Sequence, residues 1–119
     1  MKVAVSAVGP SLDDTVDERF GRAHYFLVVD TGTDSVEAID NSTNRNAMQA
    51  AGIASAELVA DHGVEAVVTG HLGPKAFPAL GLAGIKGYSA VGMTVREALE
   101  ALEAGTLAEL TEAGEAHAH

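Results

Sequence analysis

Short apolar segments separated by glycine or polar turns are the feature that most restricts the fold of this chain. Five of them span residues 2–8, 25–30, 36–40, 65–69 and 85–89. Their length and their content of Val, Ile and Ala are typical of buried strands, and the alternation in 36–40 is typical of a half-exposed strand. Apolar residues recur at helical spacing in 47–61 and 95–104, and a short helix is predicted after Pro74. The predicted order is β-β-β-α-β-α-β-α.

This order predicts an α/β fold with a five-stranded mixed sheet. Strands that alternate with helices in the second half of the chain favour a parallel core. If the first strand pairs with the second and the fourth, the sheet order is 3-2-1-4-5 and strand 2 is antiparallel to its neighbours. The loops after strands 1, 3, 4 and 5 then share one edge of the sheet, where ligands of open α/β sheets bind. Those loops are 9–22, 41–46, 70–74 and 90–93.

Capping residues give the predicted helix boundaries. Asn46 is a candidate N-cap of the first long helix, with Gln49 three residues further on. Thr94 and Glu97 have the spacing of a capping box at the start of the last helix. Pro74 is predicted at the first position of the short helix, whose unpaired N–H groups would then face an anion.

Size and charge limit the possible functions. A chain of 119 residues with 47% hydrophobic content predicts a single domain, which we expect to cover 1–110, followed by a flexible tail at 111–119. The net charge of −10 argues against partners such as nucleic acid and anionic membrane surfaces. The sequence has no Cys, which excludes disulfides, thiolate catalysis and Cys-ligated clusters. No apolar run has the length of a transmembrane helix, and we expect a cytoplasmic monomer.

The few basic residues concentrate on the predicted loop edge. Four of the seven Lys and Arg residues and two histidines fall on or beside it: Arg19, Arg22, Arg45, Lys75, His24 and His71. An acidic chain that places its cations at one edge is suited to binding an anion there. The candidate contacts to this anion also include Phe20, Gly21, Gly70, Leu72, Gly73 and Met93. The residues alone identify the ligand only as an anion.

Each of these candidates also has a simpler interpretation, which the sequence leaves open. Arg19 and Arg22 can serve solubility or pair with neighbouring acids. His71 lies in a glycine-rich turn that suits a donor or a metal ligand, whereas His24 opens a strand and can be structural. Met93 can supply a thioether to copper or molybdenum, but a methionine in a loop more often fills a gap.

Two further groups have weaker claims to a metal. The acids of the loop 9–22 lack the alternating spacing and the closing Glu of a calcium loop. His117 and His119, with Glu115, can bind an adventitious metal in a tail that we expect to be solvated. For both groups we favour the solvated interpretation.

The stretch Asp-Glu-Arg-Phe-Gly-Arg-Ala at 17–23, which leads into a strand, resembles the signature of the dinitrogenase iron-molybdenum cofactor biosynthesis family. Segments 1–6 and 70–77 also match the pattern of that family, and the resemblance extends to about residue 110. It implies a three-layer ribonuclease-H-like fold and a non-enzymatic protein that binds a metal–sulfur cluster. The most similar members, from sulfate-reducing bacteria, hold a molybdenum–copper sulfide cluster; an iron–molybdenum or iron–sulfur cluster is the alternative.

The resemblance also bears on ligands and partners. Because the chain has no Cys, only His71, His24 and Met93 are candidate direct ligands to a metal of the cluster. Family members act beside nucleotide-binding ATPases of cluster assembly, so a regulatory interaction module is the alternative function. A metal-dependent nuclease is a third hypothesis, but the first strand carries Ser6 in place of an acid.

Overall fold

The computed structural model describes residues 1–47 and 50–114, and it contains a six-stranded mixed sheet of order β3-β2-β1-β4-β5-β6. The strands are β1 (Lys2–Ala7), β2 (Tyr25–Asp30), β3 (Ser35–Asp40), β4 (Ala66–Thr69), β5 (Lys86–Ser89) and β6 (Ala108–Leu110). β2 is antiparallel to β1 and β3, whereas β4 is parallel to β1 and β5. The predicted order of the first five strands and the antiparallel direction of β2 are therefore confirmed.

The prediction of five strands is wrong, because residues 108–110 form a sixth. β6 is antiparallel to β5, with Ala108 opposite Ser89 and Leu110 opposite Gly87. Three residues with a single large apolar side chain give no periodic signal, so this strand depends on pairing with a neighbour that is distant in sequence.

The chain after β6 returns to the body of the protein. The N–H group of Gly114 donates to the carbonyl oxygen of Leu72 at 2.7 Å. Residues 115–119 lie outside the described part, and with them the weak metal candidates Glu115, His117 and His119. The prediction of a flexible tail stays a prediction for these residues.

Helices cover both faces of the sheet, which gives three layers. They are α1 (Ser42–Arg45), α2 (Ala51–Asp61), α3 (Ala76–Leu82) and α4 (Val95–Glu103). One apolar cluster joins the sheet to α2 and α3, and it includes Phe20, Phe26, Val59, Leu72 and Leu80. The other joins the opposite face to α4, and it includes Val5, Leu27, Val68, Val95 and Ala98. None of the helices in the described ranges combines the length and apolar character needed to cross a bilayer.

The helix starts agree only in part with the capping predictions. The predicted capping box of α4 is present, since Thr94 accepts from the Glu97 N–H at 3.1 Å and the Glu97 carboxylate accepts from the Thr94 N–H at 2.9 Å. Asn46 is instead the C-cap of the short α1, and α2 begins five residues later at Ala51; Gln49 lies outside the described residues.

The short helix α3 also begins later than predicted. Pro74 precedes the helix, Lys75 is its N-cap and Ala76 its first residue. Pro78 then occupies the third helical position, where the missing N–H group costs no intrahelical hydrogen bond. The helix has only seven residues, so its first turn offers little of the aligned dipole that the sequence suggested.

Candidate functional site

Strand register brings the predicted loops to one edge of the sheet. Ala7, at the end of β1, is opposite Tyr25, which begins β2 and is opposite Asp40 at the end of β3. β4 and β5 end level with each other, with Thr69 opposite Ser89. The loops that leave these positions comprise residues 8–24, 41–47, 70–75 and 90–94, and we call this surface the loop edge.

The crevice between the ends of β1 and β4 is where an open α/β sheet usually receives a ligand, but here the chain itself fills it. The Asp17 N–H donates to the Ser6 carbonyl at 2.8 Å. The hydroxyl oxygens of Ser6 and Thr69 lie 2.7 and 3.3 Å from the Asp17 carbonyl oxygen. Both hydroxyls are fully buried, so they hold the backbone at Asp17 firmly between the two strands. The segment at Asp17 therefore occupies this crevice.

Gly70 allows the turn after β4 to pack directly on this segment. A Cβ atom at Gly70 would lie 2.6 Å from the Glu18 Cα and 2.7 Å from the Glu18 carbonyl oxygen. The His71 N–H donates to that oxygen at 3.1 Å, and Arg19 pairs with His71 in an isolated parallel bridge. The side chains of Arg19 and His71 are both exposed. Two predicted site residues that are 52 positions apart in sequence therefore lie side by side.

Two further glycines, Gly21 and Gly52, bring the loop after Asp17 close to the helices α2 and α3. A Cβ atom at Gly21 would lie 2.9 Å from the backbone nitrogen of Gly52, in the first turn of α2. A Cβ atom at Gly52 would in turn lie 3.4 Å from the backbone nitrogen of Ala76, in the first turn of α3. The Ser55 hydroxyl of α2 also donates to the Gly21 carbonyl, at 3.3 Å. The sequence analysis missed Gly52 and Ser55, because a glycine or serine in a helix does not reveal what approaches it.

Two arginines of the loop edge are in direct contact. The Arg22 guanidinium donates through Nη1 to the Arg45 carbonyl oxygen at 2.9 Å. The Arg45 Nε is buried and has no hydrogen-bond partner within the described part of the chain. A buried N–H group without an acceptor is unfavourable, typically by about 1–3 kcal/mol, and an acceptor from outside the chain reaches this one only if the Arg45 side chain moves.

His24 lies at the same edge, next to an acid. Asp40, at the end of β3, accepts from the Ser42 N–H at 2.7 Å. This backbone hydrogen bond, with a smaller effect of the nearby His24, lowers the pKa of the Asp40 carboxyl group. The Asp40 carboxylate therefore stays ionised next to His24.

Three of the predicted contact residues have their side chains in the interior. Phe20 is 2% exposed and its ring lies 5.0 Å from the ring of Phe26, while Leu72 is 1% exposed. Both belong to the cluster under α2 and α3, so they anchor the loops. Met93 packs half-buried against the cluster under α4, on the other face of the sheet, and its carbonyl accepts from the Val16 N–H at 2.9 Å. The gap-filling interpretation of Met93 fits this position.

A groove lies on the side of the molecule that carries β6, away from the predicted cations. It encloses about 280 Å³ between α3, β5 and β6, with mostly apolar walls and with Lys86 and Glu109 at its margin. Of the predicted site residues it includes only Leu72. The basic residue on its walls is Lys86, which is not one of the four cations of the loop edge.

Comparison with known proteins gives this arrangement a context. The model of the dinitrogenase iron-molybdenum cofactor family matches residues 1–105. The chain belongs to this family. The apo form of the orange protein from Desulfovibrio gigas has a similar structure, with a TM-score of 0.89 and 42% identity over 92% of each chain. A putative NifB protein from Thermotoga has a TM-score of 0.84 and 36% identity, over 93% of this chain and 94% of that one.

An uncharacterized protein of Methanocaldococcus jannaschii is also similar. It is 31% identical over 111 residues, which cover 90% of this chain and 93% of the relative. The region 1–105 that matches the family contains all four loops of the loop edge.

The predicted contact residues of the loop edge are mainly cations and hydrogen-bond donors. No three His, Cys, Asp or Glu residues of the described ranges lie close enough together to hold a metal ion. Guanidinium groups, an ammonium group and exposed imidazoles from three loops are present instead. These groups recognise negative charge and hydrogen-bond acceptors, such as the sulfide or oxide ligands of a metal cluster.

Proposed function

We propose that this chain is a non-enzymatic carrier that holds an anionic metal–sulfur cluster at the loop edge. The observation that carries the proposal is the placement of charge. In a chain of net charge −10, Arg19, Arg22, Arg45 and Lys75 are four of only seven Lys and Arg residues, and they lie on three loops of one edge. The same loops also carry Asp13, Asp14, Asp17 and Glu18, so the loop edge is close to neutral in a strongly acidic chain, and cations grouped in this way can attract a compact anion that the protein as a whole repels.

The unpaired Arg45 Nε supports the same proposal. A buried donor next to the Arg22–Arg45 contact is stabilised once an acceptor reaches it. A sulfide-bridged cluster presents many acceptors on a small surface. We propose His71 and His24 as direct ligands to a metal of the cluster, since both side chains are exposed at this edge. Met93 is not retained in this role, because its side chain packs under α4.

The comparisons support the kind of cargo. The family is described by an iron–molybdenum cofactor, and the orange protein has been described in an apo form, which means that it also exists with a ligand. We propose a molybdenum–copper sulfide cluster as the cargo, with an iron–molybdenum or iron–sulfur cluster as the alternative. Since this chain has no Cys, charge and shape must contribute more to retention than covalent thiolate bonds.

Reconstitution with defined metals tests the proposal. The metal-free protein is mixed with tetrathiomolybdate and copper(I), passed through a desalting column, and examined for visible charge-transfer absorption and for metal content. We expect a coloured protein with a reproducible ratio of molybdenum to copper. A colourless, metal-free protein after desalting would overturn the carrier function.

Charge-matched variants test the location. The double variant Arg22→Gln/Lys75→Gln removes two positive charges from the loop edge, and Lys2→Gln/Lys86→Gln removes two from strand starts at the opposite edge. We expect the first to weaken retention by about tenfold or more, since a charge pair near a protein surface is worth roughly 1–4 kcal/mol at 4 Å. The second should bind as the wild type does. Equal losses in both variants would show that net charge, and not this site, controls binding.

The two alternative functions are a regulatory interaction module and a metal-dependent nuclease. The regulatory module is examined by incubating the protein with nucleotide-binding ATPases of cluster assembly and measuring complex formation with and without the cluster. A nuclease needs several carboxylates around metal ions. β1 carries Ser6 in place of an acid, and the Ser6 hydroxyl is buried and donates to the Asp17 carbonyl oxygen.

The three-layer arrangement of the helices and the sheet also supports the ribonuclease-H-like fold that the family resemblance implies.

A further inference from the structure

We infer that Asp17 is a positioning residue with two effects on the cargo: its carboxylate presents Arg19 to the anion, and its negative charge limits how tightly that anion is held. The inference rests on the proposed function. It concerns one of the acids that the sequence suggested only as an ion-pair partner of Arg19, and it predicts that the charge of this acid modulates how tightly the cluster is held.

The first observation is the burial of the carboxylate. The Asp17 side chain is only 6% exposed, although it lies in a polar loop at the protein surface. Its Oδ2 atom is buried and has no hydrogen-bond partner within the described ranges. A buried carboxylate oxygen without a donor is costly, and it persists only where other contacts hold the residue in place.

The second observation is what holds it. The Asp17 backbone is bonded on both sides to the ends of β1 and β4, through Ser6 and Thr69. The next residue, Glu18, is packed against Gly70. The carboxylate therefore has a fixed position in the filled crevice, directly beneath the loop that carries Arg19.

The third observation is the contact with Arg19. Asp17 Oδ1 accepts from the Arg19 N–H at 3.0 Å and lies 3.6 Å from Arg19 Nε. The Arg19 side chain is nevertheless 55% exposed, so its guanidinium group is accessible to a ligand. The backbone bond sets where Arg19 leaves the loop, next to His71.

These contacts predict opposite effects for two substitutions. Asp17→Asn keeps the shape and an acceptor for the Arg19 N–H group, but it removes the negative charge that competes with the cargo for the guanidinium. Asp17→Ala removes the acceptor as well and releases Arg19 from its position. For an exposed arginine the charge effect is modest, about 0–1 kcal/mol, so Asp17→Asn should bind the cluster up to roughly fivefold more tightly. Asp17→Ala should bind it more weakly than the wild type.

The experiment compares these variants with tetrathiomolybdate and copper(I) as the probe, measuring the dissociation constant and the rate of cluster loss to a chelator. Asp13→Asn is the matched control, because Asp13 lies on the same loop but pairs with Arg96 at 3.2 Å. It removes the same charge and should leave binding unchanged. In an Arg19→Gln background, the tightening caused by Asp17→Asn should disappear.

Each outcome decides the inference. Tighter binding by Asp17→Asn that requires Arg19, together with weaker binding by Asp17→Ala, supports it. Equal weakening by both substitutions would reduce Asp17 to a purely structural role, and tightening equal to that of Asp13→Asn would reflect net charge; either result overturns the inference while the carrier function stands. A wild-type protein that does not bind the probe overturns both.

Discussion

Gly70→Ala gives a quantitative test of the contact that joins two loops of the site. The added Cβ atom would lie 2.6 Å from the Glu18 Cα, whereas non-bonded carbon atoms prefer about 3.5–4.0 Å. The nearest atoms belong to Glu18 and are mainly backbone, so they cannot rotate away, and one loop must shift by about 1 Å to restore a normal contact. Overpacking of this kind costs about 1–3 kcal/mol, and loss of the hydrogen bond from the His71 N–H to the Glu18 carbonyl adds about 0.5–1.5 kcal/mol.

The expected loss of stability is therefore about 2–4 kcal/mol, which for a domain of this size lowers Tm by roughly 8–16 °C. Calorimetry or circular dichroism measures this directly. Gly73→Ala is the matched control, since it makes the same change in the same turn and meets no atom of residues 1–47 or 50–114 within 4 Å. Its Tm should stay within about 2 °C of the wild type, as for most surface substitutions. Equal Tm values for the two variants would refute the close approach of Gly70 to Glu18.

Three further predictions concern other parts of the structure. Thr94→Ala removes the capping box of α4 and should cost about 1 kcal/mol, measured by urea unfolding; no change would contradict the cap. Gly21→Ala should lower Tm and weaken cluster retention together, because the new Cβ atom meets the backbone of Gly52 at 2.9 Å; retention equal to the wild type would contradict the coupling. The pKa of Asp40 is lowered in the folded state, so its carboxylate stabilises the protein above the unfolded pKa of about 4, and this effect is lost as the pH falls through the folded value. The difference in stability between wild type and Asp40→Asn should therefore stay constant between about pH 5 and 7 and shrink in acid.

The elements that the sequence predicted well have strong local signals. β1 and β4 are short apolar runs that contribute to both faces of the core, and the Thr94–Glu97 pair marks the start of α4 without any tertiary information. The sheet order followed from chain connectivity, because parallel strands need crossovers. In such cases the local pattern and the fold agree.

The errors arise where tertiary contacts override a local pattern. Asn46 has the residue type of an N-cap, but the turn that begins at Asn41 forms α1 first and leaves Asn46 as its C-cap. β6 has no pattern of its own and exists because β5 offers it a partner. Met93 is a different case, since the gap-filling alternative fits its half-buried position against the cluster under α4.

The sequence was enough to predict which residue types form the candidate site and at which edge of the sheet they lie. It was not enough to predict the contacts between them. Charge placement identified Arg19, Arg22, Arg45 and Lys75 without coordinates. The burial of Asp17 and the approach of Gly21 to Gly52 link positions that are distant in sequence, and a polar loop residue or a glycine does not indicate its partner. Only the structure shows that the chain itself occupies the crevice between β1 and β4.

The most direct test of the account is to map where the cluster binds. Amide NMR spectra of the isotopically labelled protein are recorded during titration with tetrathiomolybdate and copper(I). The account predicts saturable shifts concentrated at residues 18–24, 41–47 and 70–75, on the loop edge. Shifts centred instead on the groove between α3 and β6, or on the strand starts at the opposite edge, would contradict it.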